Sequence, residues 1–338
     1  MKKRKSNIEL LRIVLILMII VLHYFNGNMG GVLKHVEEGT INYYLAHLLE
    51  SLCIVAVNAF VLITGYFSYK KEVAKVSKVV NLLIVMVFWG MVLSTLTVLV
   101  IATQNIDSEV VKSVIKSATN QWFVIIYCVL YLLIPFLNKL INNINQSSYK
   151  TLLIIGLIFF YIWPSFYTKV TLNDGGYGIV NFIYLYFIGA YIRKYQESDK
   201  KIVISLFIYI ISAFIVFGFS FKFARAWDYC FVFNLIGSVA LFEAFRSLNL
   251  KHSKIINKLA TYTFAVYLID VNEFFNHFLY RTLFHSNRYW NNDGMITNLI
   301  ISVIGIYTIC VILEWLRRLV FADLFNWLVE KVKFEIKA

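Results

Sequence analysis

Three ionisable side chains, Glu9, Arg12 and His23, fall inside the first long apolar run of this chain. Charged groups within a membrane-length run are costly and usually functional. At ~100° per residue, Arg12 and His23 come within ~20° of the same helical face, ~16 Å apart along the axis. Glu9, three residues before Arg12, is placed to pair with it. One face thus offers a guanidinium that can hold an anion and an imidazole further along. Imidazole is suited to taking a proton from a hydroxyl, or to carrying an acyl group, near neutral pH. Two structural alternatives stand beside this: Arg12 reaching back to lipid headgroups, and His23 as a core histidine bonded to a neighbouring helix.

Two further polar stripes have helical spacing. His47, Glu50 and Asn58 share a face of the second apolar run, and Asp270, Glu273 and His277 share a face of the ninth. Both are expected to face a polar cavity, unless they serve as hydrogen bonds between helices. Glu50, Asp270 and Glu273 are candidates to orient the His23 imidazole. His47, Asn58, Glu273 and His277 are candidates on the acceptor side. Trp227, Asp228, Glu243 and Glu314 fit interface anchors or structural ion pairs better. Cys53, Cys128, Cys230 and Cys310 stand singly in apolar runs, without metal or redox spacing. Gly175-Gly176-Tyr177-Gly178 signals a turn, and neither a phosphate-binding glycine loop nor a serine nucleophile elbow is present. No metal is expected.

The elements that must position these groups follow from composition. Of 338 residues, 60% are hydrophobic and 15% charged, with a mean hydropathy of +0.71. Soluble domains carry about 45–50% apolar and about 25% charged residues, so a water-soluble globule is excluded. Apolar windows of membrane-spanning length fall at 9–27, 45–67, 79–103, 122–140, 151–168, 177–193, 201–221, 226–246, 259–280 and 296–316. The expected fold is all-α: a polytopic bundle of about ten transmembrane helices occupying residues 1–318. An amphipathic helix over Leu319–Phe334, in the 319–338 tail, is expected to lie on the inner leaflet. The basic N-terminus followed by an apolar run imitates a signal peptide, but no small-x-small cleavage site ends it. An uncleaved first span is expected.

The net charge of +13 would suggest nucleic acid in a soluble protein. Here its distribution explains it. With ten spans, 23 of the 32 Lys and Arg fall on the side of both termini, 8 on the other, and Arg12 within the first span. That asymmetry predicts cytoplasmic termini and removes any need for a nucleic-acid partner.

Several strings carry a family resemblance. Glu9-x-Leu-Arg12, then ten residues, then His23, on the first helix of a ten-helix protein, resembles the acyltransferase family 3 membrane enzymes. Asn58 to Phe67, with its Thr64-Gly65-Tyr66 ending, is similar to the family's second helix. Trp122-Phe123 through Tyr131 to Pro135 and Leu137-Asn138, then Tyr184 to Arg193, then Thr263 to Ile269, are similar to later segments in the same order. The group it looks most like is the stand-alone bacterial polysaccharide O-acetyltransferases. Two positions depart from the pattern. Asp270 stands where the family often has histidine, and Lys75-Val-Ser-Lys78 replaces an Arg-x-x-Arg motif. Lysine can neutralise phosphate but lacks the bidentate fork of arginine.

The resemblance implies an integral-membrane O-acetyltransferase of the bacterial plasma membrane. It would move an acetyl group from acetyl-CoA to a sugar hydroxyl of a surface or lipid-linked polysaccharide. Arg12, Lys75 and Lys78 would neutralise the phosphates of coenzyme A, and His23 would act on the acceptor hydroxyl. Two other readings remain at this point. A transporter or flippase also needs a polar bundle interior, and a non-catalytic membrane component of a glycan-assembly complex needs no site.

Overall fold

The computed structural model describes residues 4–101, 108–167, 174–196 and 202–338. Lys2, Lys3, Lys169, Lys200 and Lys201, all used in the charge count, lie outside these. Sixteen helices follow in order: α1 Ser6–Phe25, α2 Val32–His35, α3 Ile41–Cys53, α4 Ala56–Ser68, α5 Val76–Ile101, α6 Ser108–Thr119, α7 Trp122–Asn143 and α8 Gln146–Leu157. Then come α9 Trp163–Phe166, α10 Ile179–Tyr195, α11 Ile202–Ser220, α12 Val232–Ser247, α13 Lys254–Leu259, α14 Thr263–Asp270, α15 Glu273–His277 and α16 Met295–Glu330. Two short strands, β1 Val73–Lys75 and β2 Glu335–Lys337, pair antiparallel with Ala74 opposite Ile336.

The fold is an all-α membrane bundle. Among the described residues, eight helical segments are long and apolar enough to cross a bilayer. α3 and α4 count as one span, Ile41–Ser68, and α8 runs through a π turn into α9 as Gln146–Phe166. The other two expected windows take different forms. α10 has 17 residues, and the ninth window is interrupted after α14, where Asn272 caps a new start. Large apolar side chains such as Val203, Phe207 and Ile304 stay exposed on the outside of the bundle, where a bilayer would meet them.

α1 is the hub. It is apolar nearly all round and packs against α3, α4, α12, α13, α14 and α16. Such a helix belongs inside a bundle. α4 and α10 meet most closely at two glycines. A Cβ on Gly65 would lie 2.2 Å from the Tyr186 carbonyl oxygen, and one on Gly189 would lie 2.3 Å from that of Leu62. Small residues at such crossings let backbones touch.

Both termini share one end of the bundle. There Tyr66, at the end of α4, lies under the cations of Lys5 and Arg193, and β2 joins β1. α16 continues unbroken for 36 residues, about 54 Å at 1.5 Å per residue, so the segment expected as a separate amphipathic tail extends the last span. Arg317 and Arg318, counted above as loop cations, lie within this helix. Both are held by the buried Glu314 at 2.7 Å, which also accepts from Trp89 Nε1 at 3.0 Å. α6, in what the windows leave as a loop, packs back on α5, with Ser94 Oγ donating to Ser117 Oγ at 3.3 Å.

Candidate active site

The far end of α1 is fixed by its own turn. Gly30 N–H donates to the His23 carbonyl at 3.1 Å and Gly31 N–H to that of Asn26 at 2.8 Å. Gly31 has φ +91°, a left-handed conformation that glycine adopts without steric cost. From across the bundle, Arg281 Nε donates to the Met29 carbonyl at 2.7 Å and Trp290 Nε1 to that of Gly30 at 2.9 Å. These bonds hold His23 at a defined depth.

The break in the ninth span supplies its partner. α14 ends at Asp270, and Asn272 then accepts from the Phe275 N–H at 2.9 Å and donates to Ser94 Oγ at 3.1 Å. Asp270 is wholly buried, 2.6 Å from His23 Nδ1. Its other oxygen accepts from the Tyr280 hydroxyl at 2.7 Å. A carboxylate at the C-terminus of a helix faces the negative end of the dipole, and these two donors offset that cost. An ionised carboxylate only accepts, so a neutral imidazole bonded to Asp270 through Nδ1 has its proton there and its lone pair on Nε2. The result is an oriented imidazole with a carboxylate behind it, the arrangement of a general base.

His23 is 16% exposed, and its exposed part lines a cavity of about 460 Å³ that Arg12 also lines. Ile16 and Ile19 form the wall between them. Arg12 lies 3.9 Å from Glu9, which also pairs with Arg4 at 3.5 Å. A further cation joins at this end. Lys71, in the turn after α4, donates to Ser68 Oγ at 2.9 Å and lies over the Tyr131 ring. Burial, with the positive charges of Lys78 and Arg12 beside it, pushes the Lys71 ammonium down to about 8. Three cations, Arg12, Lys71 and Lys78, therefore lie close together, and of these Arg12 lines the cavity that His23 also lines.

The remaining candidates fall in varied places. Glu50 lines the same cavity but makes no bond to His23. Lys75 does not reach the cations; it sits on β1, 60% exposed and 3.8 Å from Glu335, because strand pairing turns it toward the tail. Lys78 is exposed beside Lys71. His47 and Asn58 face other helices rather than the cavity. His47 bonds Ser220 Oγ at 2.9 Å and stacks on Phe221, while Asn58 donates to the Tyr229 carbonyl at 2.8 Å. Glu273 and His277 are exposed, because the break at Asn272 rotates α15 away from the face that carries Asp270. Residue spacing does not disclose Tyr280, which reaches Asp270 from the π turn Phe278–Leu283.

The structure is thus a multi-pass bundle with a carboxylate-paired histidine and an arginine along one cavity. The chain belongs to acyltransferase family 3: the model of that acyltransferase domain matches residues 5–315, so the protein is a membrane acyltransferase. No curated protein and no solved structure matches it.

Proposed function

We propose that this acyltransferase takes an acetyl group from acetyl-CoA on the cytoplasmic side and places it on a sugar hydroxyl of a surface polysaccharide or its lipid-linked precursor, as a stand-alone bacterial O-acetyltransferase of the plasma membrane. The observation that carries the reading is a cavity lined by both Arg12 and His23, the histidine being paired with the buried Asp270 at 2.6 Å. Arg12, Lys71 and Lys78 suit the phosphates of a coenzyme, and the apolar wall suits its long arm. The positive-inside asymmetry supports placing this end, with both termini, in the cytoplasm.

The chemistry is a direct transfer. His23 Nε2 takes the proton of the acceptor hydroxyl as its oxygen attacks the thioester carbonyl. Asp270 steadies the imidazolium that forms. When the tetrahedral intermediate collapses, the C–S bond breaks and the thiolate recovers the proton from His23. General base catalysis is typically worth ~10²–10⁴-fold, so His23→Ala should lose that much transfer while donor binding survives ~16 Å away along α1. The test is the O-acetyl content, by NMR, of surface glycan from a deletion strain complemented with wild type or His23→Ala at matched membrane levels. Wild-type acetylation by the variant would refute the mechanism. Identical glycan from deletion and wild-type strains would refute the acceptor class.

A further inference from the structure

The half of the cavity away from the cations is built differently from the donor end. Its wall carries Trp122, Tyr177 and Tyr229. Trp122 and Tyr229 lie nearly parallel at 26°, and Tyr177 packs 4.9 Å from the first and 4.8 Å from the second. Glu50 is close enough to Tyr177 and Tyr229 to interact electrostatically with both. Two polar atoms in this wall, Glu50 Oε2 and the Tyr267 hydroxyl, are buried with no hydrogen-bond partner among the described residues. Buried polar atoms are nearly always paired, and an exception asks for a reason.

From this geometry we infer that the aromatic chamber is the acceptor subsite and holds one pyranose ring. The inference rests on the proposed function and adds the residues that read the sugar. The C–H face of a pyranose packs on an aromatic plane, and its hydroxyls need a small number of fixed polar partners. Glu50 and Tyr267 supply those partners in the cavity that His23 also lines, so a ring held there shares that cavity with the imidazole. Glu50 is thus a specificity-determining residue. The acceptor-side candidates His47, Asn58, Glu273 and His277 do not line this cavity.

The experiment uses full-length protein in nanodiscs, radiolabelled acetyl-CoA, and as acceptor the total surface polysaccharide purified from the deletion strain. Glu50→Gln keeps the shape of the side chain, and Tyr177→Leu alters a half-exposed position that tolerates change. Each should raise the apparent KM for glycan about tenfold or more, with the affinity for coenzyme A unchanged. An unchanged glycan KM in the folded variants overturns the subsite. So does a loss of coenzyme A affinity equal to the loss for glycan, which would make the chamber part of the donor site. If the wild-type protein transfers no label, the proposed function falls, and the subsite with it.

Discussion

Asp270 shows what a single hydrogen bond decides. Asp270→Asn keeps the volume and the Tyr280 contact but can present an N–H to Nδ1, which favours the opposite tautomer and blocks Nε2 as a base. Transfer should fall about 10²–10⁴-fold with the donor KM held; single-turnover measurement with labelled acetyl-CoA checks this. Tyr280→Phe leaves Asp270 with one donor. A hydrogen bond to a charged group contributes about 1.5–3 kcal/mol, so the variant should unfold at lower temperature in detergent and lose part of its rate. Lys71 makes a pH prediction. Its folded-state value of about 8 means that it is charged below pH 8 and neutral above. The KM for acetyl-CoA should therefore rise as pH passes through about 8, and Lys71→Arg, which stays charged, should flatten that rise. A KM independent of pH between 7 and 9 in the wild type would remove Lys71 from the donor site. The sequence spacing already placed Arg12 and His23 on one face, and the structure keeps them there. Tyr280 was invisible because it reaches Asp270 across a helix break, which periodicity cannot express.

Glycine at the α4–α10 crossing is a packing requirement. Gly65→Val would put side-chain atoms into the Tyr186 backbone, and overpacking of this kind costs about 1–3 kcal/mol or more. A lowered melting temperature with fewer folded molecules recovered from membranes is the expected outcome; a Gly189→Val variant should behave alike, since it strikes the same seam from the other side. Apolar windows located eight long spans well, because burial in lipid demands length and composition alone. They took the ninth as continuous, whereas Asn272 divides it into α14 and α15. The stripe of Asp270, Glu273 and His277 assumed one continuous helix, so only the member before the break turned inward. The same method passed over α6, whose mixed composition reads as a connection until α5 is there to pack on.

Seen whole, the bundle gathers cations at the end that holds Lys5 and β2 and sets His23 toward the other. The β1–β2 pairing ties residues 335–337 to the segment just after Lys71. Removing residues 331–338 should free that segment, raise the donor KM several-fold and leave the rate at saturating donor near wild type; steady-state kinetics on the truncated protein in nanodiscs decides it. An equal fall in maximal rate would show that the tail supports the whole bundle instead. The pairing also sets an order of events during synthesis. β1 leaves the ribosome after only two spans, whereas its partner follows every later span. The Lys71 turn is fastened first by α7, where Asn138 Nδ2 donates to the Ser68 and Lys71 carbonyls at 2.7 and 2.8 Å, and β1 gains its strand partner only after α16. A nascent chain stalled between Trp290 and β2 therefore already carries every group that holds His23, but β1 still lacks its strand partner.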